Sequence, residues 1–283
     1  MTGVAFIGAL AVWGAGWFLN ARLAASALAG TRIVRLAVPA IFGLTLLVMW
    51  ELLVRLLEVS PIVLPPPTMI ADRFANEIPT LWADFVQTII KGAMTGYIVG
   101  GLAAFAVAIL ADRSDFLTRG ILPEGSFMSA LPIVGVAPIF VRWLGSDWQS
   151  KAAVVAVMVF FPILVNAVAG LRDTTAMQRD LTRTYGAGYW ATLFKLRLPA
   201  AMPFIFNGLK IATTLALIGA IVAEFFGSPT VGMGFRISTS VGQLALDMVW
   251  AEIVVAALAG SAFYGLMAWI EGRVTFWHPS QRK

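Results

Sequence analysis

The sequence predicts an all-α membrane protein, a polytopic bundle of about seven hydrophobic helices. Three observations lead there. Hydrophobic residues make up 59% of the 283 positions and charged ones only 12%, where a soluble domain carries about a quarter charged residues. A soluble fold of this length has no way to hide so much apolar surface. Apolar stretches of the length needed to cross a bilayer, about 20 residues at 1.5 Å rise each, recur along the chain.

The first expected span is Val4 to Leu19. It has no basic segment before it, so a cleaved signal peptide is not expected despite the small residues Ala25-Ser26-Ala27. Arg22, Arg32 and Arg35 follow. The second span is Leu36 to Leu57, with Glu51 and Arg55 four apart on one face, a spacing that lets the charges offset each other. Leu64-Pro65-Pro66-Pro67-Thr68 then reads as an external loop, because consecutive prolines cannot continue a helix. The third span, Phe85 to Leu110, carries Gly92, Gly96, Gly100 and Gly101 at near-helical spacing, a face suited to close packing on another helix. The fourth, Phe127 to Leu144, contains Pro132 and Pro138 and is expected to face protein or a cavity. Ala152 to Leu171, Pro203 to Phe226 and Val249 to Ile270 complete the set.

Charge placement orients this arrangement. The net charge is +5 and the pI near 9.9. With the N-terminus outside, the inward segments hold Arg22, Arg32, Arg35, Arg113, Arg119, Arg172, Arg179, Arg183, Lys195, Arg197, Arg273, Arg282 and Lys283. The outward ones hold only Arg55, Arg73, Arg142, Lys151 and Arg236, as the positive-inside rule requires. Lys91 and Lys210 lie within spans. No basic run is interleaved with stacking aromatics, so nucleic acid is not an expected partner. The chain has no Cys and one His, His278, which excludes thiolate chemistry, a His-based metal site and a His-based catalytic triad.

The interval Arg172 to Leu198 is the longest polar one. A short helix bearing Gln178, Arg179 and Asp180 is expected to end at Gly186, which can take the left-handed C-cap conformation. Tyr189, Trp190, Leu193, Phe194 and Leu196 then alternate with Lys195 and Arg197, an amphipathic stretch expected to lie along the membrane surface. Pro199 and Pro203 open the next span. On physical grounds two readings stand: a lever joining a soluble partner to the spans, or an ordinary long loop with amphipathic anchoring.

Asp180-Leu181-Thr182, then three residues, Gly186, nine residues and Leu196-Arg197-Leu198-Pro199 together resemble the Glu-Ala-Ala signature of ABC importer permeases. Gly186 and Leu198-Pro199 match in register. Leu196 stands where Ile is usual, and Asp180, Leu181 and Thr182 replace Glu-Ala-Ala, keeping the acid and losing both alanines. The resemblance extends over residues 36–279 and is closest to the branch importing taurine, aliphatic sulfonates, nitrate, thiamine-precursor pyrimidines or riboflavin. It rests also on Leu64-Pro65-Pro66-Pro67, on Leu131-Pro132-Ile133-Val134-Gly135-Val136-Ala137-Pro138 leading to Trp143-Leu144-Gly145, and on Phe161-Pro162-Ile163. Gly186-Ala187, Leu198-Pro199-Ala200-Ala201-Met202-Pro203, Ala223-Glu224 and Gly232-Met233-Gly234-Phe235 complete it.

The resemblance implies a permease core of the type I importer kind at residues 31–283, with an additional N-terminal helix at 1–30 and a coupling segment at about 172–198. It implies that Asp180 to Gly186 seats in a groove of a separate ATPase. The chain has no Gly-x-x-x-x-Gly-Lys-Ser/Thr, so ATP and Mg would be held by two partner ATPase subunits and not by this non-catalytic subunit. A second permease copy, as a homodimer, and an extracytoplasmic substrate-binding protein are the other implied partners, in a bacterial inner membrane with the C-terminus cytoplasmic.

Asn207, Thr213, Thr214 and Glu224 are candidates to line a path for solute, with interhelical hydrogen bonds as the alternative for the first three. For Glu224 the alternative is a hydrogen bond tying the loop that follows, and that reading is favoured. Lys91 and Glu252 are expected to snorkel to the interface. The competing classes are a secondary transporter or channel not coupled to ATP, which would show paired embedded charges or duplicated broken helices, and a membrane enzyme. No internal repeat supports the former, and no cluster of catalytic groups the latter.

Overall fold

The computed structural model describes residues 2–26, 29–114, 120, 132–227 and 230–278. Ala27, Arg119, residues 127–131 at the start of the fourth expected span, Ser228-Pro229, Pro279, Arg282 and Lys283 lie outside the described residues. The described chain is helical, with no strand among its residues. In order the helices are α1 (Thr2–Ala24), α2 (Arg32–Leu56), α3 (Pro67–Asn76), α4 (Ile78–Asp112), α5 (Ile133–Leu144), α6 (Trp148–Arg172), α7 (Ala176–Thr184), α8 (Tyr189–Glu224), α9 (Met233–Gly242) and α10 (Leu246–Val274).

Six of these, α1, α2, α4, α6, α8 and α10, are long and apolar enough to cross a bilayer. The fourth expected span is described only as α5, whose 12 residues reach about 18 Å and so do not cross alone. The chain is a multi-pass membrane protein of helices. Its contacts divide it into two compact units, Met1–Ile78 with Thr239–Glu252, and Pro79–Ser238 with Ile253–Lys283.

In the first unit, α1 and α2 pair where Gly16 brings the α1 backbone against the side chain of Thr45. The Glu51–Arg55 pair forms, and it does more than balance charge. Glu51 accepts the backbone N–H of Thr68 at 3.0 Å and its hydroxyl at 2.8 Å. Pro67 and Thr68, expected in a loop, therefore open α3. Proline fits a first helical position because the N–H it lacks would have had no partner there, and Glu51 supplies the cap that Pro66 cannot. Arg73 of α3 pairs with Asp247 at 2.9 Å, and Trp50 meets Trp250 edge-on at 4.8 Å.

In the second unit α6 packs between α4 and α8. Val155, Val159, Ile163 and Leu164 of α6 meet Ala104, Ala108 and Ala111 of α4 and Ala201, Ala212, Ala216 and Ala220 of α8. Lipid gives apolar side chains no drive to leave it, so close backbone approach through small residues has to hold such helices together. The glycine face expected on the third span does this. A Cβ at Gly96 or Gly100 would strike the carbonyl oxygens of Ala152 or Ala156, whereas one at Gly101 meets only Ile163 Cδ1 at an ordinary 3.5 Å. Across α8, Gly208 sits against Asn166 and Gly170 against Ala201 and Phe204. Phe263 and Met267 of α10 close the core, Phe263 edge-on to Tyr97 at 4.8 Å.

Tyr189 to Arg197, expected to lie along the surface, instead continues straight into the span as the start of the 36-residue α8. The helix widens to π geometry over Leu193–Arg197, where the Leu198 N–H reaches back to the Leu193 carbonyl. In a regular turn the ring of Pro199 would clash with the carbonyl four residues earlier. The wider turn absorbs that conflict without ending the helix.

Neighbouring glycines give a direct test of this packing. Gly100→Ala is expected to lower stability by about 1–3 kcal/mol and to depress the unfolding temperature in detergent. Gly101→Ala, one position on, should leave that temperature unchanged.

Candidate functional site

The polar interval folds as α7, a turn, and the head of α8. Thr175 and Gln178 form a reciprocal cap: the Thr175 hydroxyl accepts the Gln178 N–H at 3.3 Å, and the Gln178 side chain accepts the Thr175 N–H at 2.9 Å. At the other end Gly186 has φ +71°. Its N–H donates to the Arg183 carbonyl at 2.8 Å, and the Ala187 N–H donates to the Thr182 carbonyl at 3.1 Å. These two bonds are the Schellman pattern. A helix of nine residues is therefore closed at both ends by its own chain.

None of those nine residues is buried. Met177, Leu181 and Tyr185 follow one another at intervals of four and are 83%, 57% and 82% exposed, so α7 carries an uncovered apolar stripe. Asp180 pairs only loosely with Arg183, at 3.6 Å on the surface, and the Thr182 hydroxyl donates to the Arg179 carbonyl. Asp180, Leu181, Thr182 and Gly186 thus gather on α7 and its turn. Leu196, Leu198 and Pro199 sit half-buried on the first turns of α8.

A polar knot joins this element to the spans. Arg197 Nη1 donates to Asp112 Oδ2 at 2.7 Å, and Nη2 donates to Oδ1. Nε and Nη2 also donate to the Leu171 carbonyl, at 3.0 and 2.9 Å. The Tyr189 hydroxyl donates to Asp112 at 2.9 Å, and Arg113 stacks on the rings of Tyr189 and Trp190. The ends of α4 and α6 and the start of α8 therefore converge on one guanidinium. The side chains of Asp112 and Arg197 are 4% and 13% exposed.

At the opposite end of the same unit, Glu224 is buried. It accepts the Thr88 hydroxyl at 2.9 and 3.0 Å and the Gly234 N–H at 2.7 Å. Asp84 accepts the Gly232 N–H at 2.6 Å and Arg236 Nε at 2.8 Å. Gly232 has φ +133°, and a Cβ there would fall 2.6 Å from the Glu224 carboxylate. Lys151, counted with the outward residues, is buried in α6 with its ammonium on the Ser146 carbonyl. Asp147 caps α6 by accepting the Trp148 N–H at 2.7 Å. That bond, with help from Gln87, Lys91 and Lys151, holds its carboxyl below the usual carboxylate range.

Of the remaining path candidates, Thr213 is buried with its hydroxyl on the Lys210 carbonyl. Asn207 and Thr214 share an exposed face of α8 with Ile211 and Ile218. Asn207 donates to Asn166 at 3.0 Å. Lys91 is exposed, whereas Glu252 is fully buried. A glutamate has too short a stem to reach past the helices around it, which a lysine can do.

With that geometry in view, comparison with known proteins decides the class. Residues 96–276 match the family described as binding-protein-dependent transport system inner membrane component. The chain belongs to this family. It is 27% identical to a probable ABC transporter permease of Haemophilus influenzae, over 84% of this chain and 96% of the relative. It is 29% identical to a formylaminopyrimidine transport permease of Halalkalibacterium halodurans, covering 86% and 96%. It is 28% identical to a putative aliphatic sulfonates transport permease of Bacillus subtilis, covering 87% of each. The chain is an ABC importer permease, the inner-membrane component of a binding-protein-dependent transport system.

In this permease the knot at Arg197 escaped the sequence reading because its partners are 85 and 26 positions away. The one available signal was Asp112 at the very end of an apolar run. Lys210 and Glu271 were likewise unpaired in the sequence, and they form an ion pair at 2.6 Å between α8 and α10, with side chains 20% and 11% exposed. An embedded charge pair is what a secondary transporter would show. Here it ties two helices of a permease.

Asp112→Leu leaves a part-buried guanidinium with only the Leu171 carbonyl and is expected to cost about 1–3 kcal/mol. Thermal unfolding in detergent checks this, and adding Arg197→Met should restore much of the loss by removing the stranded charge.

Proposed function

We propose that α7 is the element gripped by the ATPase, and that the knot at Arg197 passes its displacement to the spans. The observation that carries this is the uncovered stripe of Met177, Leu181 and Tyr185 on a helix capped at both ends. A nine-residue helix is too short to be stable through its own turns. A helix that buries none of its side chains finds its packing partner in another chain. Asp180 stands beside the stripe as an acidic contact, in the position where the family resemblance puts one.

Two copies of the chain form the pathway and two ATPases hold ATP and Mg. The face of α8 bearing Asn207 and Thr214 is then covered by the second copy or by the solute path, because polar side chains are costly against lipid. The excess of Arg and Lys at the α7 end supports a cytoplasmic placement of that end, with the N-terminus outside. The solute is a small organic or anionic molecule. The similarity to a formylaminopyrimidine permease and the run Phe225-Phe226-Gly227-Ser228-Pro229 favour a pyrimidine- or riboflavin-type cargo, and the similarity to a sulfonate permease makes a sulfonate the second reading. The ligand that co-purifies with the companion binding protein distinguishes them.

The turn provides the functional test. Gly186→Val places a β-branched residue at φ +71°, at a cost of about 1–2 kcal/mol. It should leave membrane insertion intact while abolishing ATP-dependent uptake into vesicles. Gly186→Asn, which tolerates that conformation, should retain uptake. Normal uptake by the Val variant would remove the coupling role. Deleting residues 1–30 should preserve assembly with the ATPase and uptake, and loss of assembly would make α1 part of the core.

A further inference from the structure

We propose that the pocket between α7 and the head of α8 binds the phosphate of an anionic phospholipid. The pocket is about 240 Å³ and is lined by Arg179, Arg183, Ala187, Tyr189, Thr192 and Arg197. Three of these six carry guanidinium groups. Arg197 is spent on Asp112 and Leu171. Among the described residues, Arg183 has as acidic partner only the loose surface contact with Asp180, and Arg179 has none. The cavity therefore presents surplus positive charge together with the hydroxyl of Thr192, the Tyr189 hydroxyl being spent on Asp112. Guanidinium groups match phosphate oxygens in planar, two-pronged geometry.

Two further observations select a lipid over a free anion. Trp190 and Phe194, on the same turns of α8, are 52% and 58% exposed and stack on each other. Exposed aromatic surface beside a basic pocket is the composition of a membrane interface. The length of α8 agrees, since its 36 residues span about 54 Å against a hydrocarbon core of about 30 Å. At least one end of α8 therefore reaches beyond the core, and Lys195 and Arg197 place that excess at its first turns.

The pocket is also separate from the stripe assigned to the ATPase. Arg179 is two residues from both Met177 and Leu181, so it points about 160–200° away from them around α7. One face of α7 is apolar and open, and the other is basic and turned toward the bundle end. The lipid site does not depend on the ATPase reading.

Native mass spectrometry of the full chain in neutral detergent tests this, titrating phosphatidylglycerol against phosphatidylcholine. The expected result is a strong preference for phosphatidylglycerol that falls about tenfold or more in Arg179→Gln/Arg183→Gln. The charge-matched variant Arg35→Gln/Arg142→Gln should keep the preference, and thermal unfolding checks that both variants remain folded. Equal retention of the two lipids by the unaltered chain would overturn the proposal, as would an undiminished preference in the first variant. Retention of inorganic phosphate without phosphatidylglycerol would replace the lipid by a free anion. If the first variant kept its lipid but no longer stimulated ATP hydrolysis by the partner, the pocket would belong to the ATPase interface instead.

Discussion

The hydrocarbon core of a bilayer offers no water to a polar group, so every such group within a span must find its partner in protein. This permease meets that constraint with two polar knots at opposite ends of one three-helix core. At one end Arg197 satisfies Asp112 and the Leu171 carbonyl near the end of α6. At the other, Glu224 and Asp84 take up the backbone N–H groups of the glycine-rich turn at residues 232–234. Between them the glycines and alanines of α4 and α8 pack against valine, isoleucine and leucine of α6, with little polar contact apart from Asn166, Asn207 and the Tyr97 hydroxyl.

That division of labour has a mechanical consequence. Close packing of α4, α6 and α8 leaves few soft places where one helix can slide past another. On the proposed coupling role, a push applied at α7 would enter the core through Arg197, where three helix ends share one guanidinium. The π turn at Leu193–Arg197 ends on that residue, and Pro199 explains why the turn is there. The motif residues and the knot are thus parts of one joint: Gly186 shapes the turn, and Arg197 fastens it.

The membrane class, most of the spans and the glycine face were legible because each is a local property of composition or period. So was the turn at Gly186, which needs only a residue free to adopt positive φ at the end of a polar helix. Long-range polar pairing was not legible. Nothing in a single sequence links Asp112 to Arg197, Lys210 to Glu271 or Glu51 to Thr68, because those choices are made by the way the helices come together. The continuity of α8 through Pro199 was missed for another reason. Proline reads as a breaker unless a π turn makes room for it. Within the candidate site, the residues that carry the resemblance were visible and the residues that fasten them were not.

Because the chain contains no cysteine, a single introduced thiol reports on one place only. Leu181→Cys and Tyr185→Cys, each labelled with a maleimide before and after assembly with the partner ATPase, test the central claim most directly. Both thiols should react readily in the permease alone and become protected in the complex, while a thiol placed at the exposed Arg142 stays reactive. Equal labelling of positions 181 and 185 with and without the bound ATPase would contradict the assignment of α7 as the gripped element.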